Sequence, residues 1–166
     1  VADGANANDE TPDTSGEYTG DVINTSSSDH EDTDADGDTL IVTEIRTGSS
    51  EGSGTSGTVG SSLTGTYGQL TMNQNGSYTY IANQDLADAL DPGDTVTDSF
   101  NYTVDDQSGA DNATDKGVLE ITIAGVNDPI TAVNDTDAVN EDATINRSTS
   151  DTQELDHDDT DPDGDD

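Results

Sequence analysis

Aspartates at alternate positions of one short segment are the residues best suited to chemistry in this sequence. The segment SDHEDTDADGDTL covers residues 28–40 and turns at Gly37. Its candidate metal ligands are Asp32, Asp34, Asp36 and Asp38. Calcium takes about six to eight oxygen ligands, and carboxylates at alternate positions of a turning loop supply several of them. The segment is therefore predicted to bind Ca²⁺, with a solvated acidic turn as the alternative.

The same segment begins like an EF-hand loop but does not end like one. Counting from Asp32, the position of the closing acidic ligand is occupied by Thr43, and Glu44 comes one residue late. A β-branched run follows the loop, where an EF-hand has a helix. We therefore predict a metal loop that enters a β-strand.

The acidic segment occurs a second time near the end of the chain. Eight of the ten residues of 29–38 recur at 156–165, which is 127 residues downstream. The second copy adds the candidate ligands Asp159, Asp161, Asp163 and Asp165. This period predicts one full repeat at 1–127, best defined over 39–126. Residues 128–166 are then a linker plus the opening segment of a second repeat.

Another oxygen-rich segment is a weaker calcium candidate. Asp105 and Asp106 end a predicted strand and, together with Asp111, border the next loop.

Zinc chemistry and catalysis are disfavoured. His30 and His157 are the only histidines, and neither has a cysteine or a second histidine nearby, so a hard, oxygen-preferring metal is expected. The carboxylates crowd into one loop without a defined pocket, and no G-x-S-x-G or comparable nucleophile motif is present. We therefore expect no enzymatic activity.

Composition limits the partners that the chain can bind. There are 38 acidic and three basic residues, for a formal charge of −35. Such a charge excludes nucleic acids, which require clustered Lys and Arg, and disfavours anionic membranes. Only 27% of the residues are hydrophobic and none is cysteine, so the core must be thin and cannot be supported by disulfides. Disorder is one interpretation, and an acidic fold that needs divalent cations is the other.

Short alternating apolar runs favour the folded interpretation. The runs TLIVTEI, QLTM, SYTYI, DSFNYTVDD and GVLEITIAGV are separated by turn residues, which predicts an all-β sandwich. QLTM and SYTYI flank Asn75-Gly76, the dipeptide expected to supply the positive φ angles of a tight hairpin. The Gly/Ser-rich stretch at 48–62 predicts a long, flexible, exposed loop. Residues 84–90 predict one short helical turn, ended by the sequence DPGD.

These segments, in this order, resemble the VCBS-type repeats of bacterial RTX-type surface adhesins. The resemblance is carried by DTDADGDTLIVTEI, GTYGQLTMNQNGSYTY, TDSFNYTVDD and LEITIAGVNDP. It implies a Greek-key, immunoglobulin-like or cadherin-like β-sandwich with an extended C-terminal tail. It also implies tandem modules that form extracellular or cell-surface stalks, with linkers stiffened by Ca²⁺. Asn127 and Asp128, directly before Pro129, resemble the linker residues of such tandems, which implies a further calcium site. An Asx turn before the proline explains this pair equally well.

The segment 128–166 has too few apolar residues to bury a core of its own. Either it opens a second module, or it docks on a neighbouring copy by β-strand addition, which would polymerise the chain head to tail. The predicted function is a non-catalytic, calcium-stabilised structural module of an extracellular fibre or adhesin stalk. The alternative is an adhesion module that binds glycans or a surface.

Asn-x-Ser/Thr sequons are frequent, as expected by chance in a chain rich in Asn and Thr. Each is a candidate glycosylation site on an extracellular protein. They are Asn24, Asn75, Asn101, Asn112, Asn134 and Asn146.

Overall fold

Backbone hydrogen bonding divides the strands between two antiparallel sheets. The computed structural model describes residues 17–24, 32–127, 132, 134 and 138–144. Its elements are β1 (Glu17–Asp21), β2 (Ile41–Thr47), β3 (Ser56–Gly57), β4 (Ser62–Thr64), β5 (Gln69–Met72), β6 (Ser77–Ile81), α1 (Asp85–Asp88), β7 (Thr95–Asp105) and β8 (Thr114–Ala124). The first sheet has the order β1-β6-β5-β4 and the second β3-β2-β7-β8. The predicted all-β sandwich is confirmed.

The first sheet has the strand order of a Greek key. β4, β5 and β6 are consecutive neighbours, and β1 lies beside β6 after a long connection that passes through the second sheet. Of the predicted C-terminal tail, the structure describes 132, 134 and 138–144, which are exposed and contain no strand. The boundary at residue 127 stays a prediction.

The longest strand pair is β7 with β8, and it carries much of the core. The two strands pair over 11 residues each, from Thr95 opposite Ala124 to Asp105 opposite Thr114. Their alternating apolar side chains point into the sandwich, as the period of two predicts. Phe100 meets Tyr80 of the first sheet edge-to-face, with ring centroids 6.2 Å apart, and this contact joins the two sheets.

Buried tyrosines lie over glycines. A Cβ added at Gly117 would stand 2.6 Å from the hydroxyl of Tyr102, which is its direct cross-strand partner. A Cβ at Gly20 would likewise stand 2.5 Å from Tyr78, again the cross-strand partner. The glycines therefore make room for large aromatic rings, which lets a chain with few apolar residues fill its core.

The predicted hairpin between QLTM and SYTYI is confirmed as β5–β6, but its turn differs from the prediction. Only Gly76 has a positive φ, of 91°, and its N–H donates to the carbonyl of Asn73 at 3.0 Å. The N–H of Asn73 donates to the carbonyl of Ser77 at 2.8 Å. This is a three-residue loop with glycine in its last position, so Asn75 is not required to adopt a positive φ.

The Gly/Ser-rich stretch is not the single flexible loop that its composition predicts. It contains β3 and the first residue of β4, and residues 48–55 fold over the outer face of the second sheet. Asn101 holds this segment: its Oδ1 accepts from the N–H of Gly52 at 2.9 Å, and its Nδ2 donates to the carbonyl of Gly48 at 2.9 Å. One buried amide thus makes several of the hydrogen bonds that order this polar tract, which composition does not reveal. The predicted helical turn is confirmed as α1.

The connections gather at two opposite ends of the sandwich. The acidic-loop end comprises 22–24, 32–40, 73–76 and 106–113, and is bridged by the N–H of Val42 donating to Gln74 O at 2.8 Å. The exit end comprises 48–55, 65–68, 82–94 and 125–127, where the chain leaves the last strand. The N–H of Gly125 donates to the carbonyl of Asp94 at 2.9 Å there.

Candidate functional site

A concave site of about 490 Å³ opens at the acidic-loop end. The segment between β1 and β2 forms most of it, and the β5–β6 turn forms the opposite wall. Its polar lining residues are Asn24, Asp32, Thr33, Asp34, Asp38, Thr39, Gln74 and Asn75. All of these side chains carry oxygen atoms, which are the ligand atoms that calcium prefers.

Asp32 anchors the acidic loop to the core. Its side chain is only 4% exposed, and Oδ2 accepts a hydrogen bond from the hydroxyl of Tyr102 at 3.0 Å. Its N–H donates to the carbonyl of Val22 at 3.4 Å, which ties the loop to the end of β1. A buried carboxylate needs such partners because desolvation disfavours its charge. The first candidate ligand therefore sits at the base of the site.

Asp34 organises the turn that follows. Its Oδ1 accepts hydrogen bonds from the N–H groups of Asp36 and Asp38, both at 2.9 Å. The N–H of Asp38 is the main cause that holds the pKa of Asp34 below its ordinary value of 3.8; desolvation opposes it. Gly37, at φ 82°, allows the chain to reverse, and the carboxylates of Asp36 and Asp38 are exposed.

The loop therefore has the donor chemistry for calcium but does not form a closed ligand shell. Within the part of the chain that the structure describes, no three His, Cys, Asp or Glu side chains are placed to hold one metal ion. Asp32 points inward to Tyr102, and Asp34 uses one oxygen on its own backbone. Binding at this loop would need Asp36 and Asp38 to move towards Asp32, and calcium here stays a proposal.

Asp105 and Asp106 lie at the same end as the acidic loop. Asp105 Oδ1 accepts from the N–H of Gln107 at 2.6 Å, and Asp106 Oδ1 accepts from the N–H of Ser108 at 2.7 Å. Each carboxylate thus accepts from the backbone N–H two residues further on, which is the hydrogen bond of an Asx turn. Gln107 Nε2 also donates to the carbonyl of Thr39 at 3.1 Å, so this loop contacts the acidic loop directly.

The remaining candidate ligands are not brought to this site. Asn127 is exposed at the exit end, on the opposite side of the sandwich from Asp32. The other predicted ligands lie outside the described residues: Asp128, Asp159, Asp161, Asp163 and Asp165. His30 and His157 also lie outside them.

Four sequons have an exposed asparagine, and one does not. Asn101 is only 2% exposed and its amide holds the 48–55 segment, so it is not accessible to a glycosylating enzyme in the folded domain. Asn146 lies outside the described residues. The exposed ones are Asn24, Asn75, Asn112 and Asn134.

Asp98 is an important residue that the sequence reasoning missed. It is 3% exposed, and its carboxylate accepts from the N–H groups of Thr66 and Tyr67 at 3.1 and 3.0 Å. The hydroxyl of Tyr80 donates to the same carboxylate at 2.9 Å. Burial, together with the charge of Asp98 and this hydrogen bond, raises the pKa of Tyr80 above its ordinary range. The sequence did indicate that Asp98 is buried. It lies two residues before the buried Phe100, and residues two apart in a strand point to the same face.

Comparison with protein families identifies the fold. A family model described as bacterial cadherin-like domain matches residues 2–125. The chain belongs to the bacterial cadherin-like domain family. Comparison with curated proteins gives no match. The cadherin-like part of the resemblance seen in the sequence is therefore confirmed.

Membership of this family indicates a structural or adhesion-type module. Bacterial cadherin-like domains are generally non-catalytic, and they typically occur in extracellular or surface proteins. In the described part of this cadherin-like chain, no helix has the length and apolar character needed to cross a membrane.

Proposed function

We propose that this chain is a calcium-stabilised structural module of an extracellular fibre or adhesin stalk, joined head to tail to further modules or copies. The observation that carries the proposal is the placement of the loops. The acidic loop lies at one end of the sandwich, and the chain leaves β8 at the other end. A following module that presents its own acidic loop to this exit would place carboxylates at the junction, where a divalent cation could bind.

Electrostatics supports a role for cations at the acidic-loop end. The chain has a formal charge of −35, and several acids are crowded into the connections at that end. Like charges held together by folding repel one another and oppose the compact state. A divalent cation bound at Asp32, Asp34, Asp36 and Asp38 would offset this repulsion and would stabilise the folded state by mass action.

Head-to-tail contact has a candidate connecting segment. Residues 128–166 are too poor in apolar residues to fold alone, so they need a partner surface. We propose that this segment either opens a second module or docks on a neighbouring copy by β-strand addition. The partners are therefore further modules of the same kind.

The alternative of a glycan-binding module has less support. Sugar-binding surfaces commonly present exposed aromatic rings, but all five tyrosines here are buried or half-buried. Tyr78, Tyr80 and Tyr102 belong to the core, and Tyr18 and Tyr67 pack against it. The described residues thus offer no aromatic platform.

Thermal unfolding in Ca²⁺ and in EDTA tests the proposal. We expect removal of calcium to lower Tm by about 5–10 °C, because an ion at about 100 times its Kd contributes about 2.7 kcal/mol. Ionic strength must be matched with NaCl, since salt alone screens the repulsion. Equal Tm values in calcium and EDTA would refute calcium stabilisation.

A matched pair of variants locates the ion. Asp36→Asn with Asp38→Asn should remove the response to calcium, whereas Asp85→Asn with Asp88→Asn, on α1 at the exit end, should keep it. Both double variants change the charge by the same amount. Loss of the response in both would show a general charge effect and no specific site.

A further inference from the structure

One edge of the sandwich differs from the other three. The edge strands β1, β4 and β3 have five, three and two residues, whereas β8 has 11. β8 pairs with β7 in continuous register without a bulge, and no described strand lies on its other side. Short or bulged edges avoid pairing with other chains, and a long regular edge is a template for it.

The side chains on the outer face of β8 include a symmetric series. Gly117, Leu119, Ile121 and Ile123 are buried, so the alternate residues face outward. These outward residues are Thr114, Lys116, Val118, Glu120, Thr122 and Ala124. The five from Thr114 to Thr122 are symmetric about Val118: a threonine stands at each end of the five, and a lysine and a glutamate stand on either side of the centre at equal distances.

We propose that β8 pairs with β8 of a second copy, antiparallel and in the register centred on Val118. In this register Lys116 of each copy stands opposite Glu120 of the other, and Val118 faces Val118. The Lys116 ammonium, which in the single chain donates to the hydroxyl of Thr103 at 3.3 Å, would turn to Glu120 of the other copy and make two equivalent ion pairs. The contact has two-fold symmetry and is self-complementary. It joins two four-stranded sheets into one continuous sheet. Opposite charges and β-branched residues are favourable cross-strand pairs.

Charge complementarity favours a second copy of this chain as the binding partner, and it favours the register centred on Val118. The whole chain has only three basic residues, and one of them, Lys116, lies on β8, the longest edge strand among the described residues. A strand from elsewhere in so acidic a chain offers few partners of the right sign for Glu120. Moving the centre of the pairing to residue 116 would oppose two lysines, and moving it to 120 would oppose two glutamates. Like charges directly opposite each other are unfavourable.

The inference goes beyond the proposed function, because it describes lateral contact between stalks and uses neither calcium nor residues 128–166. Head-to-tail contact lengthens a stalk, whereas β8 pairing joins two stalks side by side. The two can fail separately: a chain lacking 128–166 should lose head-to-tail assembly and still form the β8 dimer.

Sedimentation velocity of the whole chain and of charge variants tests the dimer at physiological ionic strength. We expect the wild-type chain to dimerise as its concentration rises. Lys116→Glu and Glu120→Lys should each weaken dimerisation about tenfold or more, because two favourable pairs become two repulsive ones. The double exchange, Lys116→Glu with Glu120→Lys, should restore the wild-type affinity.

Glu120→Lys separates the proposal from a general charge effect. This change makes the chain less negative, so mere reduction of repulsion would strengthen association. The control Asp88→Lys makes the same change in charge on exposed α1 and should not weaken dimerisation. A wild-type chain that stays monomeric, or a Glu120→Lys variant that dimerises as well as the wild type, overturns the proposal.

Cysteine cross-linking tests the register without changing any charge. The chain has no cysteine, so a single introduced thiol gives an unambiguous disulfide dimer. Val118→Cys should cross-link readily on oxidation, because the two thiols meet on the two-fold axis. Thr122→Cys should not, since its two copies lie eight residues apart along the paired strands, or about 27 Å. Equal cross-linking at both positions rejects this register, and thermal unfolding verifies that each variant is folded.

Discussion

Two buried tyrosine–aspartate pairs stand at opposite ends of the sandwich and have different surroundings. At the exit end, Tyr80 donates to Asp98 at 2.9 Å, and at the acidic-loop end Tyr102 donates to Asp32 at 3.0 Å. Both carboxylates are buried, at 3% and 4% exposure. The geometry of the two pairs is nearly the same, so any difference in role comes from what lies around them.

The surroundings differ in charge and in hydrogen bonding. Asp98 also accepts from two backbone N–H groups, which attach the 65–68 turn to the opposite sheet, and the cleft beside it is lined mainly by Thr, Ser and Gly. Asp32 begins a loop with three more aspartates and opens into an acidic concavity. One carboxylate serves to hold a turn, whereas the other carries a loop that concentrates charge. A Tyr–Asp pair of the same geometry can therefore either fasten a turn to the opposite sheet, as Asp98 does and which we call a structural clip, or form the base of an ion-binding site.

Removal of Asp98 is the strongest test of the structural clip. Asp98→Ala should lower the free energy of unfolding by about 3–5 kcal/mol, because two backbone N–H groups and the Tyr80 hydroxyl lose their acceptor in a buried place. Denaturation with urea measures this loss. Tyr80→Phe removes one donor and leaves the other two hydrogen bonds, so it should cost only about 1 kcal/mol. A cost for Asp98→Ala no greater than that of Tyr80→Phe would contradict the clip.

In EDTA, removal of Asp32 should lower the free energy of unfolding by less than removal of Asp98 does. In calcium, the loss should be larger than in EDTA. Asp32→Ala leaves the Tyr102 hydroxyl without this acceptor, which costs about 1–3 kcal/mol. If the acidic loop binds calcium, the variant also loses the stabilisation by the ion. Urea denaturation of each variant, with and without calcium, separates the two terms.

Tyr102→Phe is the matched control at this end, because it removes the hydrogen bond and keeps the carboxylate. It should retain the response to calcium, as should Tyr80→Phe at the exit end. A full calcium response in Asp32→Ala would remove this residue from the proposed site and make the two pairs equivalent.

The smallest expected effect concerns the dependence of stability on pH at Asp34. Its pKa is lowered in the folded state, mainly by the N–H of Asp38. A depressed pKa contributes stability above the unfolded value of 3.8, and this contribution is lost as pH falls through the lower folded value. Asp34→Asn should therefore lose less stability than the wild type between pH 5 and pH 3, measured by urea denaturation in EDTA. An identical decline in both would contradict the assignment.

Periodicity alone predicted five of the eight described strands of the sandwich, namely β2, β5, β6, β7 and β8. The alternation of Phe100, Tyr102 and Val104 gave the correct face of β7, since successive side chains of a strand point to opposite sides. The segment between Met72 and Ser77 was correctly predicted as a hairpin turn. These features depend on neighbours in sequence, so local rules suffice for them. The acidic loop was likewise correctly placed at the entrance to β2.

Contacts between distant residues account for what local rules missed. Asn101 orders the 48–55 segment from across the second sheet, and glycines such as Gly117 are explained only by the tyrosine rings above them. The short strands β3 and β4 pair with β2 and β5. Composition reports none of these contacts.

The sequence by itself determined an all-β, highly acidic module with a repeated, oxygen-rich loop, because strand alternation and charge are properties of adjacent residues. Only the tertiary structure decided that Asp98 and Asp32 are paired with tyrosines at opposite ends, and that Asp105 and Asp106 share an end with the acidic loop while Asn127 does not. It also decided that β8 is the longest edge strand among the residues that the structure describes. The physical reason lies in strand pairing. Which strands pair decides at which end of the sandwich a residue lies, whether its strand is an edge strand, and whether its side chain is buried, and pairing joins residues that are far apart in the chain.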